Sequence, residues 1–139
     1  MSGPILALVS ISGGAPERAS LEALTLARRL AADTGSALEA LLVADPAAAR
    51  AAAGAVAGFG VAAALAVEKP SLTADHPDGW AEAVVQAISA RQAAAVVGPG
   101  TECGNDLLAR VAARMSLPMR SAGGSATRMP PPFAACSSA

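Results

Sequence analysis

The sequence predicts an α/β domain on a doubly wound, mostly parallel sheet, with the element order βαβαβαβα. Three observations carry that reading. Short apolar runs of strand length alternate with longer stretches whose apolar residues recur at helical spacing. The first run, Pro4 to Ile11, is apolar at both alternating sets of positions, as a central parallel strand buried on both faces must be. The chain has 139 residues, room for one such domain and not for two. Right-handed crossovers follow from the twist of the strands.

Each element is legible in turn. Pro4 to Ile11 is the first strand, and Ser12-Gly13-Gly14 turns the chain after it. Pro16 suits the first turn of a helix, where its missing N–H is no loss, and Glu17 suits the helix's positive end. This helix runs to about Thr34 and stops at Gly35. Ser20, Ala23, Leu24, Ala27, Leu30 and Ala31 share one face, while Arg18, Glu22, Arg29 and Asp33 stand mostly away from it. Ser36 to Ala44 is the second strand. Asp45 as N-cap and Pro46 at the first helical position open an alanine-rich helix that stops near Gly58 or Gly60. Val61 to Val67 is the third strand and Pro70 to Pro77 a loop. The third helix spans about Asp78 to Arg91, with Trp80, Ala81, Val84, Val85 and Ile88 as its apolar stripe.

Ala93 to Val97 is a short fourth strand, and Gly98-Pro-Gly-Thr-Glu-Cys-Gly104 is the loop after it. The fourth helix spans about Asn105 to Ser116, with Leu108, Val111, Ala112 and Met115 inward, and Leu117-Pro118 ends it. The domain therefore covers residues 1–118, and residues 119–139 read as a low-complexity tail. The tail has no acidic residue, Ser121-Ala-Gly-Gly-Ser125 is linker-like, and Pro130-Pro-Pro132 cannot continue a helix or a central strand. It is expected to be disordered apart from a short strand at Pro118 to Ser121.

Composition removes several classes of function. The net charge is −1 and charged residues make up 15%, so the chain is no strongly basic nucleic-acid binder. Trp80, Phe59 and Phe133 are its aromatics, too few for a base-stacking platform. Two cysteines, Cys103 and Cys136, make no disulfide framework, and read as structural thiols. With His76 as the single histidine, no tetrahedral zinc set of Cys and His ligands assembles. No signal or transit peptide is visible at the N-terminus, which lacks a basic segment. The uncharged stretch from Ala51 to Val67 is long enough to suggest a membrane span. Its alanines gain little from lipid and Gly54, Gly58 and Gly60 interrupt it, so a helix and a strand explain it better.

Four places invite a chemical reading, each beside a plainer one. Ser12-Gly13-Gly14 begins like the Ser-Gly-Gly-x-Asp-Ser loop of enzymes that cleave ATP between its α and β phosphates. Here Ala15-Pro16-Glu17 replaces the second half; Pro16 removes a donor and Glu17 repels phosphate. A glycine-rich turn is the reading. Gly98, Gly100, Thr101 and Gly104 form a second candidate, a nucleotide or anion loop where open α/β sheets bind ligands. The spacing is not the dinucleotide fingerprint, Pro99 lacks an amide hydrogen and Glu102 is negative. The plainer reading is a structural turn that caps the fourth helix through Thr101 or Asn105. Asp106 and Arg110 are four apart on one helical face, as are Arg110 and Arg114; the first pair reads as a surface ion pair or a partner contact. His76, beside Asp75 and Asp78, reads as a solvated loop histidine, and Cys103 near a helix N-terminus has no base to activate it. No catalytic constellation and no metal site emerge.

The run Thr101-Glu-Cys-Gly-Asn-Asp-Leu-Leu-Ala-Arg-Val-Ala-Ala-Arg-Met115 resembles a segment of the electron transfer flavoprotein alpha subunit. That family reads Thr-x-x-Gly-Lys/Arg-Asp-hydrophobic-x-Pro-Arg-Val/Leu-Ala there. Thr101, Gly104, Asp106, Leu107, Arg110, Val111 and Ala112 match; Asn105 and Ala109 depart from it. Leu21-Glu-Ala-Leu-Thr-Leu-Ala-Arg-Arg-Leu30 is similar to the family's first helix, and the resemblance covers roughly residues 4 to 118.

It implies a Rossmann-like, adenine-nucleotide-binding-like domain that packs against a beta-type subunit in an electron-transfer heterodimer, without being an enzyme itself. It implies a cytoplasmic location, or the mitochondrial matrix in a eukaryote. In the family, a C-terminal domain holds most contacts to FAD, so this chain alone is not expected to hold the flavin. The change of composition after Met119 is expected to mark a truncated or frame-shifted product, with a natural short relative bearing its own tail as the alternative, and an incomplete sheet to leave an unpaired edge through which the chain self-associates. From a different class, the chain is similar to a small adenine-nucleotide module of the universal stress protein kind, with AMP or ATP over Gly13-Gly14 and Gly98 to Gly104. A non-functional remnant is the third reading.

Overall fold

The computed structural model of the chain describes residues 3–12, 14–44, 46–66, 77–121 and 133–138. Its elements, in chain order, are β1 (Ile5–Ser12), β2 (Ala15–Pro16), α1 (Arg18–Thr34), β3 (Leu38–Val43), α2 (Pro46–Ala57), β4 (Ala63–Ala66), α3 (Pro77–Arg91), β5 (Ala95–Gly100), α4 (Glu102–Met115), β6 (Met119–Ser121) and β7 (Phe133–Ser138). The main sheet runs β4-β3-β1-β5-β7-β6. Every neighbouring pair along that path is parallel. The doubly wound α/β class expected from the sequence is the one observed.

Burial on both faces follows from the apolar runs. Ile5, Ala7 and Val9 of β1 pack with Leu38, Ala40 and Leu42 of β3 under α1 and α2. Leu6 and Leu8 point the other way and join Leu41, Val96, Trp80, Val84, Leu108 and Val111 under α3 and α4. The inward face of α1 is Ser20, Ala23, Leu24, Ala27 and Ala31, all buried, while Leu30 is only half-buried. The stripe expected on α3 is buried at Trp80, Ala81, Val84 and Ile88 and half-buried at Val85.

Helix ends fall close to their sequence signals. Gly35 stops α1 with φ +67, donating its N–H to the Ala32 carbonyl while Ser36 donates to that of Ala31. Gln92 and Ser116 occupy the same left-handed region after α3 and α4, where a glycine is more usual. Asp45, the expected N-cap of α2, lies outside the described residues, as do Val67 and most of the loop from Pro70.

Three differences from the sequence reading have physical causes. Pro16 does not start a helix. It pairs antiparallel with Ile11 in a two-residue strand, and the helix begins after Glu17. The fourth strand does not stop at Val97 but runs on to Gly100. The β1–β5 ladder ends at Ala7 and Val97, while β5 keeps pairing with β7 as far as Gly100. Among the described residues one side of β5 is therefore free of a ladder beyond Val97, and Pro99 is tolerated there.

The third difference concerns the segment read as a tail. β6 falls where a short strand was expected, but Phe133–Ser138 is also a strand, seated between β5 and β6. In sequence, Phe133-Ala-Ala-Cys136 is a small apolar run that suits an interior strand. Residues 122–132 lie outside the described part.

Candidate functional site

The ladder between β1 and β5 fixes where a site would lie. β1 follows β3 from Ile5–Leu38 through Ser10–Val43, but follows β5 only through Ala7–Val97. The two central strands part toward their C-terminal ends. This is the point where the strand order reverses, the usual ligand crevice of an open α/β sheet. Two strand-to-helix junctions flank it.

The β5–α4 junction holds all four residues singled out from the sequence: Gly98, Gly100, Thr101 and Gly104. With β5 ending at Gly100 and α4 starting at Glu102, the expected seven-residue loop contracts to Thr101 alone. Thr101 is the N-cap of α4, with extended backbone at φ −102 and ψ 166. The Gly104 amide donates to its Oγ1 at 3.0 Å, and the Asn105 amide donates to its carbonyl at 2.8 Å. Of the two caps considered, Thr101 is the one used.

The glycines let the helix sit down on the strand. A Cβ on Gly98 would lie 2.7 Å from Leu108 Cδ1, and one on Gly104 would overlap the Pro99 carbonyl oxygen. Glu102 is exposed in the first turn of α4, where its charge already meets the positive end of the helix. Pro99 brings no N–H. A phosphate group would meet a helix end whose Gly104 donor is used by Thr101, beside a carboxylate.

The β1–α1 junction is built differently. The Glu17 amide donates to the Ser10 carbonyl at 2.9 Å, closing the small hairpin of β1 and β2. The Ser10 amide donates to Ser20 Oγ at 2.9 Å, so the buried Ser20 hydroxyl satisfies the end of β1. Glu17 is the N-cap of α1, yet its side chain makes no capping hydrogen bond, and no acidic residue follows in the first turn. Gly14 is exposed with φ +81. Gly13 lies outside the described residues.

The expected Asp106–Arg110 pair is present at 3.0 Å, and it is part of something larger. Arg110 also reaches Asp78 of α3 at 2.7 Å, and Arg114 reaches Glu82 at 2.8 Å and Asp78 at 3.5 Å. Two arginines of α4 thus bridge two acids of α3 across the outside of the α3–α4 layer. The hydrogen bond from Arg110 to Asp106, then the one to Asp78, holds the guanidinium charged beyond arginine's ordinary range. These contacts are internal to the domain.

A further charged pair, inside the sheet layer, also had no sequence expectation. Glu39, buried in β3, accepts two hydrogen bonds from Arg91 at the end of α3: one from Nε at 2.9 Å and one from Nη2. The hydrogen bond from Arg91 to Glu39 raises the pKa of the arginine. The available signal was a lone acid inside Leu38-Glu-Ala-Leu-Leu-Val43; its partner, 52 positions later, had none. His76 and Asp75 lie outside the described residues, and so do the side chains of Cys103 and Cys136. Among the described residues, no cluster of three or more His, Cys, Asp or Glu is placed to hold a metal. No described helix is long and apolar enough to cross a membrane.

Against known families, the model described as "Electron transfer flavoprotein domain" matches residues 5–122. None of the curated proteins matches the chain. Among solved structures the chain is similar to a protein of the universal stress protein family from Burkholderia pseudomallei. Identity is 22%, over 76% of this chain and 87% of that one, with a TM-score of 0.45. It is also similar to a universal stress protein in complex with cAMP, at 19% identity over 82% of this chain and 91% of that one, TM-score 0.48. Neither likeness bears on what this chain binds.

Proposed function

We propose, for a chain that belongs to the electron transfer flavoprotein domain family, the role of an alpha-type N-terminal domain that packs against a beta-type subunit in an electron-transfer complex. The observation that carries this reading is the span of the family match, residues 5–122. It takes in every element from β1 to β6 and the whole β5–α4 junction. The geometry of that junction supports the reading in a second way. Thr101, Gly104 and Arg110, which match the family pattern, are occupied in capping α4, seating it on β5 and tying it to α3. They build the domain rather than a ligand pocket.

On this reading the chain is an electron-transfer component, and its residues hold neither substrate nor flavin by themselves. A flavin in the assembled complex would supply the redox chemistry; this domain would contribute shape and a docking surface. The compartment that goes with it is the cytoplasm, or the mitochondrial matrix in a eukaryote. Without its partner the domain is expected to self-associate. Among the described residues β4 pairs only with β3, and its sequence Ala63-Ala-Leu-Ala66 has no charge to protect the other edge.

A second reading has one observation in its favour. The parting of β1 and β5 beyond Ala7 and Val97 opens the crevice where this class of sheet takes ligands, which suits a small adenine-nucleotide module using AMP or ATP. Co-expression with a beta-type electron transfer flavoprotein subunit separates the two. Size-exclusion chromatography with an absorbance scan is expected to show a stable, colourless complex. A coloured complex would overturn the expectation about flavin. No complex, together with calorimetric binding of AMP or ATP to the isolated chain, would replace the first reading by the second.

A further inference from the structure

We draw no further inference here: the strongest candidate, the flank formed by the exposed alanines, Gly54 and Arg50 of α2 beside edge strand β4, carries nothing because nothing in the structure shows what covers it.

Discussion

The two strand-to-helix junctions at the centre of the sheet start from similar sequence and end in different structures. In sequence, Ser12-Gly13-Gly14 and Gly98-Pro-Gly100 both close an apolar run, and both precede a helix. At β5–α4 one residue, Thr101, makes the turn and caps the helix. At β1–α1 a hairpin intervenes, and α1 begins without a side-chain cap. What separates them is the residue at the cap and the room around the glycines. Thr101 has a hydroxyl that reaches Gly104; the Glu17 side chain makes no such bond. Gly98 and Gly104 lie against neighbouring atoms, whereas a Cβ on Gly14 would meet nothing within 4 Å. Glycine content alone therefore says little about a phosphate loop. A glycine pressed against its own fold is there for packing.

The contrast can be broken from the tight side first. Gly104→Ala forces a methyl into the Pro99 carbonyl, and backbone cannot swing away as a side chain can. A loss on the order of 3 kcal/mol is expected in urea unfolding followed by circular dichroism. A near-neutral result would mean that α4 does not lie as close to β5 as described. Gly98→Ala meets the tip of Leu108 instead, which can shift, so the expected loss is about 1–2 kcal/mol. Adding Leu108→Val should recover part of it; strict additivity of the two changes would sever the proposed contact.

Thr101→Ala removes the cap and leaves the Gly104 amide without its partner, for a loss of about 1 kcal/mol. Thr101→Ser should retain most of the stability, and that pair of variants separates capping from mere side-chain size. The loose junction should respond in the opposite direction. Glu17→Ser supplies a hydroxyl at an N-cap that already has extended backbone, with φ −66 and ψ 149, and is expected to raise stability by roughly 0.5 kcal/mol. Thermal melting monitored by Trp80 fluorescence can follow this small change; a lowered midpoint would show that the Glu17 carboxylate has a use the geometry does not reveal.

Most helices were legible because their ends carry chemical punctuation. Gly35 closes α1, and Pro46 opens α2. The inward faces were legible because burial follows the helical period, as with Ala23, Leu24, Ala27 and Ala31 on α1. What escaped was set by neighbours distant in sequence. Gly98-Pro-Gly100 reads locally as a turn, and it is a strand because β7 lies alongside it. Pro16 reads as a helix opener, and it is a strand residue because Ile11 pairs with it. Glu39 reads as an intruder in an apolar run until Arg91 arrives from the end of α3. At the candidate site, the four residues were legible as a cluster and Thr101 as a cap. Nothing local distinguished a glycine that would admit a ligand from one that admits Leu108.

The seating of β7 between β5 and β6 has a consequence for the order in which the molecule can be made. β6 precedes β7 along the chain, yet among the described residues its ladder is with β7 alone. As the chain leaves the ribosome, β4, β3, β1 and β5 can assemble with α1, α2, α3 and α4 as soon as they are synthesised. β6 must wait for a strand that has not yet been translated. During that interval the side of β5 that will face β7 has no strand beside it, so the growing chain carries an adhesive border that the finished sheet conceals.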